Sequence, residues 1–226
     1  MRPIDHAQQA LITAIVRGEY PVGTALPGER DLAAQLGVTR PTLREALRRL
    51  EADGWLIIQH GKSTLVRNYL HEGGLNVLNG IVQYSRDLPP DFVPNLLQVR
   101  LDLAPSYTRL AIMNAPHVLI SVLKAHKTLP DTPHAYAHYD WQLHHTLTVQ
   151  SGNPIYALIL NGFADFYEYL AETHYFQHDV ARQASAAFYA ELLSHVQAGD
   201  VDEAAALTQR VMAASITLWE MIHQTS

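Results

Sequence analysis

The 226-residue chain has no cysteine. Disulfides, cysteine-ligated zinc and thiol nucleophiles are excluded, and only histidine and carboxylate metal sites stay open, for which thirteen histidines are available. Charge is sparse as well: 17% of residues are charged against 48% hydrophobic ones. That balance supplies enough core for one large globular domain or two smaller ones. No run approaches the roughly 20 apolar residues of a membrane span. Residues 1–6 lack the apolar centre of a signal peptide, and the expectation is a cytoplasmic protein. Basic charge is concentrated in one place. Residues 1–68 hold nine basic and seven acidic side chains, a net of +2, whereas residues 69–226 hold seven and fifteen, a net of −8. In a chain of formal net charge −6, only the first part suits phosphate.

Within that part, residues 5–17 place Ala7, Ala10, Leu11, Ala14 and Ile15 at helical spacing, and Gly18 follows as a C-cap. Residues 20–28 are too rich in Pro and Gly for a helix and read as an extended segment with turns. A second helix over residues 29–36 turns Leu32, Ala33 and Leu36 inward and ends at Gly37. Thr39 is a suitable N-cap for a third helix, with Pro41 in its first turn. That helix buries Leu43, Ala46, Leu47 and Leu50, while Arg40, Arg44 and Arg48 recur every four residues on another face. An arginine stripe is on most helices a solvated face. Here a β-rich pair of runs, residues 55–59 and 63–66, follows around a polar tip of His60, Gly61 and Lys62. Two helices joined by a glycine turn, then a hairpin, read as a winged helix-turn-helix.

From residue 76 onward the pattern is helical. It is broken near residues 88–90, 115–116, 129–133, 151–154 and 198–200. The expected helices run roughly over 75–87, 91–114, 116–129, 134–151, 154–175, 179–198 and 201–223, with short connections that favour antiparallel packing. The fold class is thus mainly α: a winged helix-turn-helix over residues 1–68, a linker over 69–75, and an antiparallel bundle of about seven helices over 76–226. Residues 155–164 carry no charge, which predicts a central helix buried on nearly all sides. Tyr156, Tyr167, Tyr169, Tyr175 and Tyr189 read either as core and interface residues or as the polar groups of a cavity. Residues 151–154 are explained by capping alone, and no motif pairs a nucleophile with a base, so an enzyme is not expected.

Several of these residues carry a resemblance. Pro27-x-Glu29-Arg30-x-Leu32-Ala33, residues 37–47 and Asp53-Gly54-Trp55 closely resemble the DNA-binding domain of the GntR superfamily of bacterial transcription regulators. Residues 58–62, Gly74-Leu75-Asn76-x-Leu78, Val93-x-Asn95-Leu96-Leu97-x-Val99-Arg100, His174-Tyr175-Phe176 and Phe188-Tyr189 extend it along the chain to that superfamily's fatty-acid metabolism regulators, the FadR family.

The resemblance implies a homodimer that binds an inverted-repeat operator, represses degradation genes, and activates synthesis genes as a further role. It also implies release from DNA by long-chain fatty acyl-CoA, with no cofactor. By the same resemblance Arg30, Thr39, Arg40, Thr42 and Arg44 contact the operator, and His60, Gly61 and Lys62 enter the minor groove. Arg100, Tyr167, Tyr175, Tyr189, Ser215 and Trp219 line the acyl-CoA pocket, where a cationic Arg100 would suit the CoA phosphates. Pro41, Val211 and Met212 depart from the family's threonine, tyrosine and glycine. An alternative is a metal-dependent relative sensing a small carboxylate. Asp140 and His144 have the i, i+4 spacing of a helical metal pair, but Tyr189 and Val211 stand where that group has two further histidines, so no metal is expected.

Overall fold

The computed structural model describes residues 2–59, 61–84 and 91–224. It divides into two compact units, Met1–Pro89 and Pro90–Ser226.

In the first unit, α1 (Pro3–Val16) opens on a proline whose missing N–H costs nothing in a first turn. It packs on α3 (Arg40–Ala52), as does the short α2 (Glu29–Gln35). Between α2 and α3, Gly37 adopts φ +65° and Val38 N–H returns to the Ala33 carbonyl at 3.0 Å, the left-handed cap that allows a tight turn. Thr39 caps α3 by accepting from Thr42 N–H at 3.3 Å. β1 (Leu56–Ile57) and β2 (Leu65–Val66) pair antiparallel, Leu56 opposite Val66 and Ile57 opposite Leu65. The extended segment before α2 joins their edge through an Ala25–Leu65 bridge. Leu11, Ile12, Leu32, Leu43, Leu50 and Trp55 lie at the centre of this unit's core.

Residues 69–75, read above as a linker, contain a one-turn helix, α4 (Tyr69–Glu72). The next helix, α5 (Leu75–Tyr84), packs on α1. Val77 is buried in the same core as Trp55, and Gly80 presses its backbone against the indole. The compact first unit therefore runs past residue 76, where the ligand-sensing part was expected to begin.

The second unit is all helical among its described residues. α6 (Phe92–Asn114), α7 (Pro116–Lys124) with a 3₁₀ turn at Ala125–Thr128, α8 (Pro133–Gln150), α11 (Asp179–Ala198) and α12 (Val201–Gln224) enclose the core. α6 packs along α12 and against α8, and α11 lies between α7 and α12. The single helix expected over 154–175 is instead α9 (Pro154–Asn161), a break at Gly162 and Phe163, α10 (Ala164–Leu170), and a π-turn at Ala171–Tyr175. α9 is also not central. None of its residues is fully buried, and Ile155 and Leu158 are more than half exposed. Its uncharged run serves a different end, because Tyr156, Ile159 and Leu160 face a cavity.

Candidate DNA interface and ligand cavity

The exposed face of α3 carries the arginine stripe expected from the sequence, since burial of Leu43, Ala46, Leu47 and Leu50 turns Arg40, Arg44 and Arg48 outward. Arg44 Nε donates to Glu29 Oε2 at 2.7 Å, and Arg40 stands 4.0 Å from the same oxygen. Arg30 is exposed and bonded to Asp31, and the Thr39 and Thr42 hydroxyls meet at 2.8 Å. Gly61 takes φ +70° at the wing tip, where Lys62 N–H closes a turn on the Gln59 carbonyl. Both are exposed; His60 lies outside the described residues. Cationic side chains on an exposed helix face and beside a glycine turn are the chemistry that a groove with its flanking phosphates would take.

The second unit holds a partly open cavity of about 120 Å³. Leucines, valines and aromatic rings from α6, α9, α10 and α12 form most of its wall. Arg100, Tyr167, Tyr175, Ser215 and Trp219 all line it. Tyr189 does not; it lies wholly buried behind the wall and donates to Asp140 Oδ1 at 2.8 Å. Tyr169 is exposed instead, and Val211 and Met212 both contribute to the cavity.

A polar node closes one side. Arg100 Nη2 donates to Asp140 Oδ2 at 3.0 Å and to His144 Nε2 at 2.7 Å, and its guanidinium lies 5.2 Å from the Tyr167 ring centroid. Tyr167 O–H donates to the same Asp140 oxygen. With Nε2 accepting from Arg100, His144 carries its proton on Nδ1 and gives it to the Tyr107 oxygen, 2.8 Å away. Burial, then the Arg100 charge, push the His144 pKa down to about 3, so the imidazole is neutral. Burial alone would raise Asp140, but Arg100 and the tyrosine hydroxyls hold it below the ordinary carboxylate value. Burial also disfavours the Arg100 charge, and Tyr167 and Asp140 more than restore it. Tyr175, pushed up to about 12 by burial, stays a neutral phenol.

This arrangement bears on the metal alternative. The two side chains with metal-pair spacing meet one guanidinium, and among the described residues no three His, Cys, Asp or Glu side chains converge on a point that could hold a metal ion. It bears equally on the expected phosphate contact, because Asp140 already neutralises Arg100 inside the fold. Tyr107 and the node's connectivity were not foreseen. The available signal was the seven-residue spacing of Arg100 and Tyr107, which sets both on one face of α6.

Both halves of the chain are similar to known proteins. Residues 3–66 match the family described as bacterial regulatory proteins, gntR family, and residues 67–225 match the FadR C-terminal domain. The fatty acid metabolism regulator protein of Shewanella sp. (strain MR-7) is 43% identical over 190 residues, covering 84% of this chain and 78% of its own. The protein of that name from Shewanella frigidimarina (strain NCIMB 400) is 38% identical over 220 residues, covering 97% and 92%. Among solved structures, that of Lar, which controls the expression of the Listeria monocytogenes agr system and mediates virulence, aligns over 98% of each chain with a TM-score of 0.61. At 14% identity this is a likeness of fold.

Proposed function

Because this chain belongs to the gntR family of bacterial regulatory proteins and carries the FadR C-terminal domain, we propose that it leaves its operator when a long-chain fatty acyl-CoA enters the cavity of its second unit. The protein is a DNA-binding transcription regulator of fatty acid metabolism and not an enzyme. The finer reading is carried by one observation: the cavity is apolar over most of its wall yet has polar side chains, Arg100, Asp140, Tyr167 and Tyr175, gathered on one side. An aliphatic chain fits the first feature and a thioester carbonyl the second. Arg30, Thr39, Arg40, Thr42 and Arg44 would meet the operator with the wing residues His60, Gly61 and Lys62. One winged unit spans too few bases for useful specificity, so two copies would bind an inverted repeat and repress degradation genes from it.

Linkage fixes the quantitative form of this reading. If acyl-CoA and operator favour different states, each weakens the other by the same factor, typically about five- to 150-fold. Titrating oleoyl-CoA into a complex of the protein with labelled operator should lower fluorescence anisotropy to that of free DNA, and sedimentation of the complex should give two chains per operator. Release by a small carboxylate with a divalent metal, and not by oleoyl-CoA, would overturn it.

A further inference from the structure

Among the described residues of the cavity wall, Arg100 and Asp140 carry a formal charge, and they sit on each other. The other lining side chains are apolar, aromatic or neutral hydroxyls. Both Asp140 oxygens are partnered: one accepts from Tyr189, the other from Arg100 and Tyr167. The Arg100 Nε is buried and has no acceptor among the described residues. His144 takes a hydrogen bond from the guanidinium through Nε2 and, being neutral, adds no charge. The node therefore carries no net charge, and its unpartnered donor, Arg100 Nε, is enclosed by the protein.

A ligand oxygen arriving at this wall meets a node whose field is close to zero. A neutral carbonyl loses far less hydration there than an anion does. A carboxylate fares differently, because it comes about as close to Asp140 as to Arg100. Attraction to one is offset by repulsion from the other, and the hydration of the anion is lost without compensation.

We infer that Asp140 is the specificity-determining residue of this cavity: by neutralising Arg100 it closes the wall to free carboxylates and reserves it for the neutral carbonyl of an acyl ester or thioester. The inference rests on the acyl-thioester reading above and adds to it why the hydrolysed chain, with the same tail, is refused. The protein thereby reports activated chains and ignores the free acids from which they are made.

Three probes with one tail test this by calorimetry on the full-length protein below their micellar concentrations: oleoyl-CoA, the neutral thioester S-oleoyl-N-acetylcysteamine, and oleate. Wild type should bind both thioesters and take oleate more weakly by on the order of tenfold or more. Asp140→Asn preserves the side-chain size and leaves Arg100 uncompensated, so the ratio of oleate to neutral-thioester affinity should rise on the order of tenfold. Adding Arg100→Gln to that variant should return the ratio toward wild type. Oleate binding to wild type as tightly as the neutral thioester, or a ratio unmoved by Asp140→Asn in a folded variant, overturns the inference. Should circular dichroism show Asp140→Asn unfolded, the wild-type ratio and the double variant decide. If oleoyl-CoA fails to bind while the neutral thioester outcompetes oleate, the CoA reading falls and the role of Asp140 stands; if none of the three binds, both fall.

Discussion

Arg44, on the exposed face of α3, is held at 2.7 Å by Glu29, an acid on the preceding helix. The pair is solvated, with 56% of the arginine side chain exposed, and such surface pairs contribute at most about 1 kcal/mol. A bidentate contact to a base edge exceeds that, so DNA can take the arginine from Glu29. Arg44→Ala should then cost about 1 to 3 kcal/mol on operator, with folding spared. Glu29→Gln frees Arg44 and Arg40 together and should tighten binding to random DNA by roughly two- to fivefold. Anisotropy titrations on both DNAs check this. Equal loss on operator and random DNA would make Arg44 a phosphate contact, and no loss on either would remove it from the interface.

The buried node predicts a pH dependence of folding. Burial and Arg100 hold the His144 pKa at about 3 in the folded protein, whereas an unfolded histidine titrates near about 6.5. Below that pH the unfolded chain binds a proton the native state refuses, so stability falls with falling pH by up to about 1.4 kcal/mol per unit until the native pKa is reached. Asp140 acts in a lower window. Its native pKa is depressed, so its contribution is present above the ordinary value near 4 and is lost below it. Urea unfolding at pH 7.5, 6.5 and 5.5 should show His144→Gln losing less stability on acidification than wild type. Parallel losses would mean that His144 titrates in the native state.

Gly80 of α5 ties that helix to the first unit. A Cβ at this position would lie 3.0 Å from Trp55 Nε1 and 3.3 Å from Ile12 Cδ1, and both side chains are fully buried. Gly80→Ala gains about 1 kcal/mol in helix propensity and loses about 1 to 3 by overpacking. The expected result is a protein less stable by up to about 2 kcal/mol in urea, with Gly80→Val worse. A stabilised Gly80→Ala would show that α5 does not pack here.

The DNA-binding half was legible because its determinants are local. Thr39, Gly37 and the Leu43, Ala46, Leu47, Leu50 spacing fix a cap, a turn and a buried face within a few residues of each other. The cavity depends on long-range meetings. Asp140 and His144 showed their shared face in the sequence, yet their partner is Arg100, 40 and 44 residues away, and that separation turned an apparent metal pair into a neutralised cation. The uncharged run from Ile155 misled for a related reason: apolar character reports desolvation, and a helix lining a cavity with Tyr156, Ile159 and Leu160 satisfies it without lying in the core. Val77 and Gly80 escaped notice because their partner, Trp55, lies across a stretch of turn-forming residues that reads as a boundary.

Ser215 offers the sharpest test of the switch. It is buried on α12, its hydroxyl donates to the Met212 carbonyl at 2.7 Å, and it lines the cavity beside Met212 and one turn before Trp219. Asparagine at this position adds two heavy atoms to a space of about 120 Å³ at a helix-propensity cost of only a few tenths of a kcal/mol. The first unit is untouched, so Ser215→Asn should bind operator with wild-type affinity. Its release by oleoyl-CoA should need at least about tenfold more ligand, because an obstructed cavity removes the differential affinity that drives the shift. Anisotropy of labelled operator under an oleoyl-CoA titration reads both quantities on one sample. Release at wild-type concentrations would place the acyl chain elsewhere than along α12. A wild type that ignores oleoyl-CoA but answers to a small carboxylate with a divalent metal would mean that Arg100 gives up Asp140 and His144 to the ion.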